Sequence, residues 1–160
     1  MWPTTEVGCV TPLKPMANNS SNETRDRYRY FTPVMTRWSD NDVYGHVNNV
    51  IYYAYFDTAV TTFLMNNGWP DMKESPYIVV IAESNCTYHR AVAHPDELEV
   101  GMRTNRIGKS SVQYGLALFR QDEDLAAASG GYTHVFVDRA SNKAIRIPEH
   151  IREAYGRILV

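Results

Sequence analysis

The densest group of polar side chains in the sequence lies at residues 40–49, where acids, amides and a histidine follow one another. The group consists of Asp40, Asn41, Asp42, His46, Asn48 and Asn49. A carboxylate can act as a nucleophile or a general base, and the first amide groups of a helix can stabilise an oxygen that gains negative charge. If a helix starts at the two asparagines, the segment combines both features, which is the chemistry that attacks an acyl group.

A purely structural interpretation of the same residues is open as well. Asp40 and Asp42 are turn formers, because aspartate side chains accept hydrogen bonds from nearby backbone amides. Asn48 and Asn49 are favoured at helix N-caps for the same reason. Composition alone favours this structural interpretation, so the chemical one needs support from the neighbouring elements and from the motif.

The polar segment lies between a predicted strand and a predicted helix. Residues 31–38 are rich in β-forming side chains, and Pro33 near their start is tolerated at a sheet edge or a strand entrance. The helix starts near Asn48 or Asn49 and ends near Asn67. The residues between its buried positions are also largely apolar, so we expect a helix enclosed on most sides. Its buried stripe follows the spacing of three and four residues: Tyr52, Tyr55, Phe56, Ala59, Val60, Phe63 and Leu64.

Four further strands follow the helix. Turn residues separate them, and the two short connections predict antiparallel hairpins, with a positive φ at Gly108. A short helix from Pro148 to Gly156 closes the chain. This order predicts an α+β domain in which a five- to six-stranded antiparallel sheet wraps around one long central helix. The predicted strands are Tyr77–His89, Leu98–Ile107, Ser111–Arg120 and Ala126–Asp138.

The composition argues against several function classes. The 160 residues are 44% hydrophobic and 21% charged, with a net charge of -2, so there is no positive field to hold a nucleic acid. No run approaches the roughly 20 apolar residues that span a bilayer, and no secretory signal is readable at the start. We therefore predict a cytoplasmic protein that has neither a nucleic acid nor a membrane as its partner.

The beginning of the chain differs in composition from the rest. Residues 1–26 are rich in proline, asparagine, serine and threonine, which predicts a flexible N-terminal leader. Residues 27–160 are predicted to form a single domain. Cys9 and Cys86 belong to no CxxC pair, and the histidines lack metal-binding spacing, so no metal site is predicted.

The segment Arg37–Ala59, RWSDNDVYGHVNNVIYYAYFDTA, resembles the signature of the hot-dog-fold acyl-CoA thioesterases of the 4-hydroxybenzoyl-CoA thioesterase superfamily. The later strands resemble the same group, and the likeness extends from about Phe31 to Arg139. The resemblance implies the hot-dog fold and the hydrolysis of an acyl-CoA to a free acid and CoA, without a cofactor. It also implies a homodimer or homotetramer with the cleft between subunits.

The resemblance implies roles for individual residues of the motif. Asp42 matches the catalytic carboxylate, which is described as a nucleophile or as a general base. Asn49 matches the residue whose backbone N–H polarises the thioester carbonyl. His46 matches a histidine of the plant acyl-carrier-protein thioesterases, although Tyr44 stands where their motif has asparagine. Asp57 matches a carboxylate of the central helix and is expected to support the site.

Further residues are candidates for binding the substrate. Gly45 and Tyr52 belong to the matching segment. Glu83 is a lone acid in an apolar strand; it either faces the active cleft or is an ordinary buried or interface acid. The last candidates form a basic hairpin that resembles the CoA phosphate contacts of relatives and is otherwise a solvated turn: Arg106, Lys109, Ser110 and Ser111.

Two rival functions stay open at this point. An acyl-carrier-protein thioesterase would need an acidic partner docked near Arg103, Arg106 and Lys109. A non-catalytic acyl-binding protein that has kept the fold is the alternative outside the enzymes. The acyl-CoA thioesterase is favoured, and the joint presence of Asp42, Gly45, His46 and Asn49 argues against the non-catalytic alternative.

Overall fold

The computed structural model describes residues 23–69 and 71–160. Both predicted helices and all five predicted strands are confirmed, with small shifts of their ends. Neither helix of these residues is long and apolar enough to cross a membrane. The elements are β1 (Tyr30–Met35), α1 (Asn49–Asn66), β2 (Tyr77–Tyr88), β3 (Glu97–Ile107), β4 (Ser111–Arg120), β5 (Ala128–Asp138) and α2 (Glu149–Arg157).

The five strands form one antiparallel sheet in the order β1-β3-β4-β5-β2. The predicted hairpins β3-β4 and β4-β5 form its centre, whereas β1 pairs with β3 and β2 pairs with β5. Met102, Leu116 and Gly130 share one row across the three central strands. Side chains alternate between the two faces of a strand, so the side chains of this row and of every second row from it lie on the same face of the sheet.

Helix α1 packs mainly over β1, β3 and β4. Its buried residues are the stripe that the sequence predicts. Phe56 and Phe63 are fully buried against apolar strand residues such as Val100 and Leu116. Removal of this apolar surface from water is the main stabilising contribution, at about 25 cal/mol per Å². We call the face of the sheet that lies under α1 the inner face.

The other side of α1 is exposed within the single chain. Val50 is 61% exposed and Met65 is 49% exposed, so the expected enclosure on most sides is not found in one chain. The neighbouring edge strand β2 is also exposed over most of its length. Four of its residues lie on the inner face, because they oppose positions of β5 whose rows face α1, and we call them the edge strip: Ile81, Ser84, Cys86 and Tyr88.

The predicted N-terminal leader falls partly outside the described residues, which begin at residue 23. Residues 23–26 contact the outer face of the sheet. The guanidinium of Arg25 pairs with Glu99, and it donates hydrogen bonds to three carbonyl oxygens at and just after the end of β4. It also lies 5.0 Å from the centre of the Phe119 ring. These last four residues are therefore attached to the folded unit.

Gly108 lies in the turn between β3 and β4 but does not have the expected positive φ. Within the described residues, the glycines with a positive φ are Gly45 and Gly68. The lack of room for a side chain explains the glycine at position 108 instead, because a Cβ there would lie 2.9 Å from Ser111 Oγ and 3.2 Å from the Ser111 carbonyl oxygen. The Gly108 N–H donates to that carbonyl at 2.7 Å, which closes the turn.

Candidate functional site

The loop between β1 and α1 is closed by its own backbone hydrogen bonds. The Asp42 N–H donates to the His46 carbonyl at 2.8 Å, and the Gly45 N–H donates to the Asp42 carbonyl at 3.1 Å. Gly45 has a φ of 79° and a Cβ there would meet no atom within 4 Å. The left-handed conformation, which glycine adopts without strain, therefore explains this glycine, and its role is to shape the turn.

Asp40 anchors the loop to the core. It is 1% exposed, and its carboxylate accepts hydrogen bonds from the Tyr55 hydroxyl at 2.8 Å and from the Arg37 N–H at 2.9 Å. Burial raises the pKa of Asp40, but these hydrogen bonds and the Arg37 charge outweigh it, so the pKa lies below its ordinary value. The Asp40 carbonyl accepts the Asn48 N–H at 2.8 Å, which attaches the start of α1. Asp40 is therefore a structural acid.

Asp42 is half-buried, and its two carboxylate oxygens have different surroundings. Oδ1 accepts the Tyr44 N–H at 2.8 Å and, more weakly, the His46 N–H at 3.4 Å. Oδ2 accepts no hydrogen bond from any described residue. One oxygen thus forms the turn, in agreement with the structural interpretation, and the other remains available to an external molecule.

The start of α1 presents an unused backbone donor. Asn48 is the N-cap, with its side-chain oxygen accepting the Val50 N–H at 3.2 Å. Asn49 is the first helical residue, it is exposed, and its N–H donates to no acceptor in residues 23–69 and 71–160. Because the helix dipole adds a partial positive charge at this end, an oxygen that develops negative charge is stabilised there.

Two tyrosines connect the edge strip to the helix start. The Tyr88 hydroxyl donates to the Asn49 carbonyl at 3.2 Å, and the Tyr88 ring meets the buried Tyr52 ring edge to face at 4.9 Å. Burial, with smaller contributions from Cys86 and then from Asp42, raises the pKa of Tyr52 to about 12. Burial and the neighbouring Cys86 raise the pKa of Tyr88 to about 12. Both phenols are therefore neutral donors at ordinary pH.

The sequence analysis missed Tyr88 and Cys86 as neighbours of the site. A usable signal was present, because alternation within the segment SNCTY places Ser84, Cys86 and Tyr88 on one face of a strand. That face is recognisable as the inner one only after β2 is paired with β5.

His46 and Asp57, two further residues of the motif, are exposed. His46 contributes to the turn through its backbone, as donor to Asp42 Oδ1 and as acceptor from the Asp42 N–H. Burial raises the pKa of the Tyr132 phenol, and the charge of Asp57, which lies near it, raises that pKa further. In the described part of the chain, no three His, Cys, Asp or Glu side chains are arranged to hold a metal ion.

Glu83 lies on the outer face of the sheet, so the expectation that it faces the cleft does not hold within this chain. Glu83 opposes Thr133, whereas its neighbour Ser84 opposes Tyr132. The Tyr132 hydroxyl donates to the Tyr53 carbonyl on α1 at 3.1 Å, which identifies the inner face. Glu83 instead helps to line a shallow depression of about 170 Å³, together with Asn85, Asn105, Gln113 and Thr133.

The basic hairpin lies at the far end of the sheet from Asp42. The His94 N–H, just before β3, donates to the Asn41 side chain at 3.0 Å, so β3 begins beside the loop. The strand then runs from Glu97 to Ile107, roughly 30 Å at about 3.3 Å per residue. The structure therefore does not bring the hairpin residues to Asp42 within one chain. Arg106 and Lys109 are exposed at its tip, and Ser110 and Ser111 are half-buried.

Sequence comparisons place the chain among known proteins. The thioesterase-like superfamily matches residues 36–155. The uncharacterized protein YsmA of Bacillus subtilis strain 168 is 29% identical over 135 residues, which cover 82% of this chain and 88% of YsmA. The matched range contains the loop with Asp42, the whole of α1 and all of the strands β2 to β5.

Solved structures agree with this placement. The PA5185 protein from Pseudomonas aeruginosa strain PAO1 is 46% identical, with a TM-score of 0.83 over 85% of this chain and 95% of that chain. The DHNA-CoA thioesterase from Staphylococcus aureus shares the fold at 20% identity, with a TM-score of 0.71 over 80% of this chain and 89% of that chain. The sheet and its central helix form the hot-dog fold, and the chain belongs to the thioesterase-like superfamily.

Proposed function

We propose that this chain hydrolyses acyl-CoA thioesters to a free acid and CoA. The carrying observation is that one hydrogen-bonded unit of loop and helix holds both a carboxylate with an unused oxygen, Asp42 Oδ2, and an unused backbone donor, the Asn49 N–H. Membership of the thioesterase-like superfamily supports the reaction class. The unit matches the needs of thioester hydrolysis, which are an attacking or proton-accepting group and a donor for the carbonyl oxygen.

The proposed reaction uses few groups. The thioester carbonyl oxygen accepts the Asn49 N–H, and the positive end of α1 stabilises the negative charge that forms on it. Asp42 Oδ2 either attacks the carbonyl carbon or removes a proton from a water molecule that attacks it. The C–S bond then breaks, and a thiol of pKa roughly 8.5, by analogy with cysteine, leaves as a thiolate with little need for a proton donor.

The remaining motif residues support this arrangement. Gly45 gives the turn its shape, and the Tyr44 and His46 N–H groups hold Asp42 Oδ1, so that the turn leaves Oδ2 for the reaction. Tyr52 and Tyr88 form an aromatic wall beside the helix start, against which the acyl part of the substrate packs. Asp57, further along α1, is also exposed, like Val50 and Met65 of the same helix.

We further propose that the complete site forms between two copies of the chain. Among the described residues, no strand pairs with the outer edge of β2. Its own residues Ile81 and Tyr88, and Val50 at the start of α1, are exposed apolar residues. Two antiparallel β2 strands related by a twofold axis bring the start of one strand next to the end of the other. The hairpin 106–111 of one subunit then lies near the helix start of its partner, where Arg106 and Lys109 bind the phosphates of CoA.

An acyl-carrier-protein substrate finds less support. Arg103, one of the three cations expected to receive an acidic carrier, pairs with Glu23 at 3.1 Å and lies 4.8 Å from the centre of the Tyr28 ring. Its charge is already neutralised within the chain. Arg106 and Lys109 remain exposed, and together these two cations can bind the phosphates of CoA, whose charge is compact.

The test is steady-state hydrolysis of a panel of acyl-CoAs that differ in chain length and aromaticity, followed through the released thiol. We expect turnover of at least one member and a lower KM at low salt, because the CoA contacts are ionic. Arg106→Ala is expected to raise KM, whereas Arg29→Ala, which removes an exposed arginine beside Met102 and just before β1, the sheet edge opposite to β2, serves as the matched control. Binding without turnover would instead identify a non-catalytic acyl-binding protein. A parallel assay with an acylated acyl carrier protein covers the other rival, which turnover of that substrate alone would identify.

A further inference from the structure

A buried polar cluster that the proposed reaction does not use lies on the inner face of the sheet. His134, Tyr114 and Tyr155 are 3%, 2% and 0% exposed. The Tyr114 hydroxyl lies 3.3 Å from His134 Nδ1 and 2.6 Å from the Tyr155 hydroxyl. On the other side of the imidazole, Nε2 is buried and has no hydrogen-bond partner among the residues that the structure describes.

The number of polar hydrogens in the cluster determines which polar group remains without a hydrogen-bond partner. Burial lowers the pKa of His134 to about 4, so the imidazole is neutral and the three side chains carry three polar hydrogens. If Tyr155 donates to Tyr114 and Tyr114 donates to Nδ1, the single unmatched group is an Nε2–H donor. If instead Nδ1–H donates to Tyr114 and Tyr114 donates to Tyr155, then the Tyr155 O–H and Nε2 both lack a partner. Each unmatched buried group costs about 1–3 kcal/mol, so the first arrangement is favoured.

The direction of this donor follows from the strand order. The two nitrogens of an imidazole point in diverging directions, so Nε2 points away from the Tyr114 hydroxyl that contacts Nδ1, and β2 is the next strand beside β5 on the side opposite to β4. The residue that opposes His134 on β2 is Ile81, which is 51% exposed. The pairing of β2 with β5 is interrupted between Ile81 and Glu83, and such bulges are over-represented next to active sites.

A row of side chains connects this donor to the helix start. The Tyr132 ring stacks on the His134 ring at 5.8 Å, and the Tyr132 hydroxyl donates to the Tyr53 carbonyl at 3.1 Å. Tyr53 follows Asn49 by about 6 Å along α1, and His134 follows Tyr132 by about 7 Å along β5. Both elements run away from the helix start, so an acyl group held at the Asn49 N–H extends along this row toward His134.

We propose that the His134 Nε2–H donates a hydrogen bond to an oxygen in the distal part of the acyl group. The preferred substrates then carry a hydroxyl or keto oxygen there. This inference rests on the proposed thioesterase function and names the substrate class of the same site. A plain alkyl chain leaves the buried donor unmatched, whereas an acceptor oxygen satisfies it, and sites of this kind discriminate strongly between such pairs.

The first experiment compares kcat/KM for pairs of acyl-CoAs of equal length, one with and one without a hydroxyl or keto oxygen, with the oxygen moved along the distal half. We expect the full chain to favour the oxygenated member of the best pair by roughly 10- to 100-fold. In His134→Phe, the ratio is expected to fall to 1 or below. The matched control is Thr104→Val, which removes another buried and unpartnered polar atom, on β3, and keeps the wild-type ratio.

A second measurement separates this inference from the thioesterase function. Calorimetry gives the dissociation constants of the corresponding free acids, which are the products and require no turnover. If no acyl-CoA is hydrolysed, the thioesterase function fails, and the ratio of the dissociation constants still tests His134. Equal constants within every pair, or a wild-type preference that persists in His134→Phe, would overturn the assignment.

Discussion

Asp40 and Asp42 are two residues apart in the same motif, and the structure gives them opposite surroundings. Asp40 is 1% exposed, and both of its carboxylate oxygens accept hydrogen bonds from the protein. Asp42 is half-buried, and among the described residues only one of its oxygens is engaged, by the backbone of its own turn. The comparison indicates a division of work in which Asp40 holds the loop on the core and Asp42 faces the substrate.

The physical reason lies in what each carboxylate can still do. The lone pairs of Asp40 are occupied, and its lowered pKa makes it a weak base. Asp42 retains an unengaged oxygen, while its turn restricts the orientation of the side chain. A reacting group is effective only if a fixed support holds it, so the two acids depend on each other.

The largest expected effect is on catalysis, in Asp42→Asn. The asparagine oxygen keeps the hydrogen bonds of the turn but is neither a nucleophile nor a base at neutral pH, so we expect kcat to fall about 1,000-fold. The free energy of unfolding is expected to change by less than about 1 kcal/mol. Thiol release and urea denaturation measure the two quantities, and unchanged turnover would remove Asp42 from the mechanism.

The next effect is on stability, in Asp40→Ala. The change leaves the Tyr55 hydroxyl and the Arg37 N–H without their buried acceptor, so we expect a loss of about 2–4 kcal/mol in the free energy of unfolding. Urea denaturation is the measurement, with Asp42→Ala as the matched control, which loses about 1 kcal/mol or less. Equal losses in the two variants would end the proposed division of work.

Acid titration sharpens the same contrast. The pKa of Asp40 is lower in the folded protein than in the unfolded chain, so the unfolded chain binds the proton first as the pH falls. The stability that Asp40 contributes is complete above about pH 4 and is lost below it. We expect the decline of stability below pH 4 to be shallower in Asp40→Asn than in the wild type. An equally steep decline in Asp40→Asn would show that another group carries the acid sensitivity.

The smallest effect concerns the turn that presents Asp42. An alanine at position 45 must adopt a φ near 79°, which costs about 1 kcal/mol, so Gly45→Ala is expected to lower both stability and kcat modestly. Gly156→Ala is the matched control, because Cβ atoms at both positions meet no atom within 4 Å and Gly156 lies in α2 with an ordinary φ. The control is expected to stabilise the protein slightly. A loss of the same size in both variants would show that φ is not the cause.

Much of the fold was predictable because it follows local periodicity. The stripe from Tyr52 to Leu64 follows the helical repeat, and the strands follow the alternation of two, both of which are properties of the backbone. The N-cap at Asn48 was predictable for the same local reason. The sheet face on which Glu83 lies was not predictable, because the bulge beside it shifts the alternation of β2 by one residue.

The sequence by itself determined the order of the elements, the buried stripe of α1 and the motif that contains Asp42 and Asn49, since each depends on neighbours along the chain. Tertiary structure alone decided which aspartate is buried, because the partner of Asp40 is Tyr55, a residue of α1 that reaches it only after packing. It also decided that His134 Nε2 is buried without a partner among the described residues, since that depends on contacts among three separate elements.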